Sequence, residues 1–520
     1  MSAPVPSRRF FNQHRHFLPA PLASVLWHGL RANREPPTCS LESARLRQIA
    51  LSAMMVLGVA ACGGGGNGSS SLPAFWAAAP VPAPAPPASP EAPAPAPAAP
   101  TPTYKISGTV KGLLGTGLVL QNNAGDDLSI AADGSFSFAA EVASGSRYAV
   151  TVKSQSRILT RVCTVRQGTG TVADVAIADV AVVCAAPAAR FAYATNSVSD
   201  NLFPYTVDVS TGALGSMAAP MPGTGQTPVA ITADPAGRFA YVVNSGDNTV
   251  SAYAIGAGTG VLTPFATIAT GAMPMSMAVD PTGRFAYVTN TGARSVSTYT
   301  IDAGTGALSP MAVPVVTAGS TPHAIAVDAT GQFAYVTNLG DNTVSAYAID
   351  ASSGALSPLA APTAPTGNGP RAMALDPMGR FAYVVNMVDD TVSAYGIDAS
   401  SGVLTPMPTV ATGRAPSAIA VDTSGRFAYV VNMAGNSVSA YHINASTGAL
   451  TPMAMPTVAA RASPAAIALD PTGRFAYVTN YNSKDVSAYT IDADTGALAP
   501  MAVSTVATGG IGPTSLGLSR

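Results

Sequence analysis

One string of eight residues, Gly-Arg-Phe-Ala-Tyr-Val-Thr-Asn at positions 283–290, limits what this chain can fold into because it recurs. Its Phe stands at Phe191, Phe239, Phe285, Phe333, Phe381, Phe427 and Phe475, with successive copies 46 or 48 residues apart. A fixed period of that size means that one supersecondary unit is copied along the chain, each copy burying its apolar face against the next.

The copy that begins at Thr321 reads strand by strand. Pro322 opens it, and His323-Ala324-Ile325-Ala326-Val327 alternates as a strand does. Asp328-Ala329-Thr330-Gly331 has turn chemistry: Asp bonds its own backbone and Gly supplies positive φ. Phe333 to Thr337 is a second strand and Val344 to Ile349 a third. After the turn at 350–354, Ala355-Leu356-Ser357-Pro358 begins a Pro-marked edge strand. Four antiparallel strands per repeat make a propeller blade. Period 2 puts Phe333 and Tyr335 on one face and Ala334 and Val336 on the other, so a bulky face can bury itself on a leaner neighbour.

The first copy starts at Arg190-Phe191 without a first strand, and the chain ends at Pro513-Thr514-Ser515-Leu516-Gly517-Leu518, which aligns with a first strand alone. The C-terminal strand is therefore expected to complete the first blade. The expected architecture is all-β: a seven-bladed β-propeller over residues 188–520, closed by its last strand. Residues 103–187 carry different punctuation, with short alternating runs such as Ser135-Phe136-Ser137-Phe138 and Tyr148-Ala149-Val150-Thr151-Val152, and read as a small β-sandwich module.

The front of the chain is not globular. Arg45 and Arg47 precede an apolar run from Ile49 to Ala61, too short for a membrane span of roughly 20 residues. A positive flank, a short apolar run and small residues before a break read as a secretory signal. It ends in Val59-Ala60-Ala61-Cys62, which resembles the lipobox of bacterial lipoproteins. That resemblance implies lipidation at Cys62, a membrane partner through the lipid anchor, and a place in the cell envelope, outer-membrane or periplasm-facing. Residues 1–62 are thus an N-terminal extension with a lipoprotein signal, and 63–102 a Gly/Ser then Pro/Ala-rich linker that cannot build a core. Export places the chain where disulfides persist, so Cys163 and Cys184 are expected to pair.

Charge excludes one class of partner. From Arg190 onward twelve Lys or Arg face eighteen Asp and no Glu, about −6, which argues against nucleic acid.

The strings Tyr287-Val288-Thr289-Asn290, Tyr335-Val336-Thr337-Asn338 and Tyr477-Val478-Thr479-Asn480 resemble the name-giving motif of the YVTN-repeat β-propellers. These belong to the wider seven-bladed lactonase-like group, with its 6-phosphogluconolactonase-like and muconate-lactonizing members. The resemblance covers 190–520; it is specific for the fold and loose for activity.

Function should lie where the copies differ. The residue after each opening Pro should ring the mouth of the central channel: Val229, Met275, His323, Arg371, Ser417, Ala465 and Thr514. Only His323 and Arg371 of these can carry charge, on adjacent blades. If the protein hydrolyses lactones, His323 is the candidate base and Arg371 the oxyanion donor, with Asp341 as a further acid-base candidate. The stretch Pro322-His323 followed by Leu339-Gly340-Asp341 resembles one that recurs in the lactonase group. Both charged residues can equally be polar residues tolerated at a wet mouth. The repeated Asp234, Asp280, Asp328, Asp376, Asp422 and Asp470 are read as turn residues rather than calcium ligands, and no cofactor or metal is expected. Two functions stand: an envelope lipoprotein that binds an unidentified small-molecule, glycan or protein ligand at the variable-loop rim or serves as a scaffold, and a lactone hydrolase of the 6-phosphogluconolactonase-like type.

Overall fold

The computed structural model describes residues 100–156, 161–218 and 222–519. The expected signal segment, Cys62 and nearly all of the expected linker lie outside them.

Among the described residues, 103–187 make two four-stranded sheets and a short two-stranded pair, Thr103–Tyr104 with Val142–Ala143. One runs Gly134–Ser137, Ile106–Lys111, Ile177–Ala185, Val162–Arg166; the other runs Asp126–Ile130, Leu118–Asn122, Arg147–Ser154, Thr169–Thr171. Their inward residues, among them Ile106, Leu118, Leu120, Phe138, Val150 and Val180, form one core. Cys163 and Cys184 lie directly opposite on paired antiparallel strands and are joined by a disulfide.

Seven four-stranded antiparallel blades follow, blade five carrying an interrupted outer strand. Blade four shows the plan: Pro322–Val327 lines the channel, then come Phe333–Asn338, Thr343–Ile349 and the outer strand Leu356–Pro365. In blade one the innermost strand is Pro513–Ser519, paired with Phe191–Asn196, so the ring closes as the alignment requires.

The motif explains how blades stack. Phe333 and Tyr335 of blade four pack on Ala382 and Val384 of blade five, and Phe475 and Tyr477 of blade seven pack on Ala192 and Ala194 of blade one. Each buried aromatic contributes roughly 1.5–3 kcal/mol by area alone. The Tyr also donates its hydroxyl to a glycine carbonyl of the next blade: Tyr335 to Gly402 at 2.8 Å, and Tyr477 across the closure to Gly212 at 2.7 Å. The third-strand Tyr points the other way, as Tyr347 donates to Thr317 of the preceding blade at 2.8 Å. A buried phenol needs a partner, and these bonds satisfy it while tying neighbours together.

The motif Arg braces the lower rim. Arg284 lies over the Phe285 ring, 4.7 Å from its centroid, and donates to Ala351 of the next blade at 3.0 Å. Blade four has Gln332 here and lacks that clasp. The repeated Asp residues hold the lower turns. Asp328 accepts the backbone N–H groups of Gln332 and Phe333 at 2.8 and 2.7 Å, and the Thr330 hydroxyl as well. The turn itself consumes the carboxylate, which is why it repeats.

Candidate functional site

The innermost strands each break register just after their opening Pro. In blade five Pro370 pairs with Asn386 and Ala372 with Val385, leaving Arg371 as an extra residue; in blade four the shift falls between Pro322 and Ile325. Such a bulge re-aims a side chain, and here it turns the post-Pro residue toward the channel mouth. These residues line the mouth, as the alignment of the copies requires, but on a bulge rather than on a regular strand.

Backbone bonds from blade three fix His323. Thr289 donates its hydroxyl to the His323 carbonyl at 2.8 Å, and Thr291 donates to the Pro322 carbonyl. Within blade four the Thr337 hydroxyl accepts the Ala324 N–H at 2.9 Å. The Thr of Tyr-Val-Thr-Asn therefore buttresses the mouth where a blade carries it.

The mouth is a cavity of about 590 Å³, within the usual range for small-ligand sites. All seven post-Pro residues line it, His323 and Arg371 together on adjacent blades. A second tier comes only from blades six and seven and the connection between them: Met433, Ser463, Tyr481 and Asn482. Sequence reasoning missed these four. Tyr481 left a signal: it follows the motif Asn, where the other blades have Ser197, Ser245, Thr291, Leu339, Met387 and Met433, and it stands outside the two Tyr positions of the repeat.

Among the described residues Arg371 is the single fixed charge lining the cavity, and no Asp or Glu lines it. Its Nη1 lies 3.3 Å from the Met387 sulfur, a weak acceptor, and among the described residues no carboxylate pairs with it. Burial disfavours its charged form. Burial, and secondarily the Arg371 charge, push the His323 imidazole down to about 4, a hydrogen bond to the Arg371 backbone opposing them. His323 is therefore neutral at neutral pH, and a far weaker base than one poised near 7.

Asp341 is not brought to this pair. Its carboxylate accepts the Ser320 N–H at 2.5 Å, as Asp247 accepts from Gln226 and Asp389 from Asn368 at 2.7 Å each. It braces a loop between blades, outside the cavity lining. His442 packs its ring on Phe427 on an exposed face, with centroids 5.6 Å apart.

The depressed imidazole carries a pH signature. Unfolded His323 takes up a proton near 6.5, but the folded group does so only near 4. Its contribution to stability is complete above about pH 6.5 and is lost as pH falls toward 4. Replacing it in His323→Asn should flatten the stability profile in that window by about 1–3 kcal/mol, less than the full shift because the cavity admits water. Urea unfolding of both proteins at pH 7 and pH 4.5 measures this; parallel losses would contradict it.

The sequence pattern of the family described as lactonase, seven-bladed β-propeller matches residues 149–268, 187–319 and 314–511. The chain belongs to that family. No curated protein matches it. Among solved structures, a putative 6-phosphogluconolactonase from Bacteroides fragilis is 20% identical, with a TM-score of 0.57 over 64% of this chain and 98% of its own. The Pseudomonas aeruginosa periplasmic gluconolactonase PpgL is 21% identical, with a TM-score of 0.56 over 64% of this chain and 99% of its own. A Lactobacillus plantarum protein is 23% identical, with a TM-score of 0.56 over 64% of this chain and all of its own. At these identities the likeness is one of fold.

Proposed function

We propose that this lactonase-family propeller is a binding protein of the cell envelope that takes a small carboxylate at its channel mouth. One observation carries the reading: Arg371 lies in a largely apolar cavity with no acidic partner. A partly buried cation without a counter-charge costs free energy, and an incoming carboxylate offsets that cost through charge-assisted hydrogen bonds worth about 1.5–3 kcal/mol each. The tether belongs to the same proposal. It is supported by the apolar run that ends at Cys62 and by the extended linker after it. Radiolabelled palmitate should enter the wild type and not Cys62→Ser; equal labelling would remove the anchor from the proposal.

Lactone hydrolysis is the second reading, favoured by the family and by the adjacency of His323 and Arg371 in one cavity. Against it stand the weak basicity of His323 and a lining without carboxylates, which leave little to activate water.

Calorimetric titration with D-galacturonate and D-gluconate, run beside hydrolysis of D-glucono-1,5-lactone, separates the two. Saturable carboxylate binding, weakened about tenfold or more in Arg371→Gln, is expected without turnover above background. Turnover that disappears in His323→Ala would reverse the ranking.

A further inference from the structure

The mouth is lopsided in a way that a small acid alone does not use. Its lower tier draws on every blade, through the post-Pro residue and in six blades the residue after it, but the second tier stands only on blades six and seven and their connection. There Tyr481 is 37% exposed, and among the described residues its hydroxyl makes none of the backbone bonds that the other propeller tyrosines make. Beside it the Asn482 amide donates to the Ser463 hydroxyl at 2.6 Å, which leaves the Asn482 carbonyl and the Ser463 proton for a ligand. An aromatic face flanked by an amide and a hydroxyl suits a ring with an apolar C–H face and hydroxyl edges. In a seven-bladed ring blade seven stands two places from blade five, and Tyr481 and Arg371 line the same cavity, so both can contact one ligand.

Outside this wall stand three basic residues, with Asp485 and Asp390 among them. Arg414 lies two residues before the strand Pro416–Val421, Arg461 two before Ser463, and Lys484 two after Asn482. Arg461 is held by Asp485 at 3.2 Å, whereas Arg414 and Lys484 are exposed and have no ion pair among the described residues. On a propeller whose formal charge is about −6, Arg414 and Lys484 are the two unpaired cations of this arc.

We propose that the mouth takes the terminal uronic acid residue of an acidic glycan: Arg371 receives its carboxylate, Tyr481 stacks on its ring, and the following residues leave over the arc of Arg414 and Lys484. This rests on the carboxylate reading above and names the ligand class. The test is titration of the whole purified chain with galacturonate, a galacturonate tetramer and a neutral glucose tetramer. Variants are compared only where their melting temperature equals that of the wild type. The acidic tetramer should bind about tenfold or more tighter than the monomer, and the neutral tetramer should not bind. Tyr481→Ala should weaken monomer and tetramer alike by about tenfold. Arg414→Ser with Lys484→Ser should weaken the tetramer alone and reduce its salt dependence. Equal affinity for monomer and tetramer, binding of the neutral tetramer, or indifference to Tyr481→Ala would overturn the glycan assignment while leaving an Arg371-dependent monomer site intact. Absence of binding by every carboxylate would overturn both.

Discussion

A chain lacking residues 511–520 is expected to lose its cooperative melting transition or to melt at least about 10 °C below the full chain. The deletion takes away the innermost strand of blade one, which pairs with Phe191–Asn196 along its length. It uncovers the apolar surface against Leu516 and removes the Thr514 hydroxyl, which donates to the Pro228 carbonyl of blade two at 3.0 Å. Six ladder positions at about 0.5–1.5 kcal/mol each, with two leucines at about 1.5–3 kcal/mol each, come to about 6–15 kcal/mol. That rivals the whole stability of an ordinary domain, about 5–15 kcal/mol. The deletion also leaves an open sheet edge, so aggregation should rise. Circular dichroism melts of both chains read the effect. Identical melts would mean that the ring does not depend on its last strand.

That closure was legible in the sequence because the first copy lacks what the last fragment supplies, and repetition makes a missing part visible. The seven post-Pro residues were legible for a related reason: the Pro marks where each inner strand begins. Three things were not. The bulge adds a residue without any composition signal, since its consequence is a direction rather than a residue type. The second tier of Tyr481, Asn482, Ser463 and Met433 lies in loops whose aim depends on backbone geometry. Asp341 looked chemical because it follows His323 closely in sequence, yet Asp247 and Asp389 make the same bond in other blades. A residue doing the same work in several copies is holding the scaffold.

Gly354→Ala is expected to destabilise the propeller by about 2–5 kcal/mol. Gly354 adopts φ 73°, where an L side chain costs about 1–2 kcal/mol. An added Cβ would also sit 2.5 Å from the Phe285 ring and 2.7 Å from the Met311 methyl, and such overpacking costs about 1–3 kcal/mol. The same glycine accepts the Tyr287 hydroxyl at 2.7 Å. Phe and Tyr of one blade thus close around a glycine of the next, and the geometry recurs at every interface, from Gly260 on Phe191 to Gly212 on Phe475. Gly304→Ala is the control: its Cβ would meet only Asp302 at 3.5 Å, and it lacks the positive φ. Urea midpoints should separate the two variants; equal midpoints would mean that the motif aromatics do not grip the neighbouring turn.

These effects belong to the scaffold, and the central claim is that ligand chemistry belongs to the mouth. Methionine methyl groups report on both. Met275 and Met433 line the cavity, and Met387 touches Arg371. Met311 and Met453 are buried between blades. In a spectrum of protein labelled at the methionine methyls, D-galacturonate should shift Met275, Met387 and Met433 with one common saturation curve and leave Met311 and Met453 in place. Saturable shifts confined to other methionines, or unmoved mouth methyls at saturating ligand, would contradict the account.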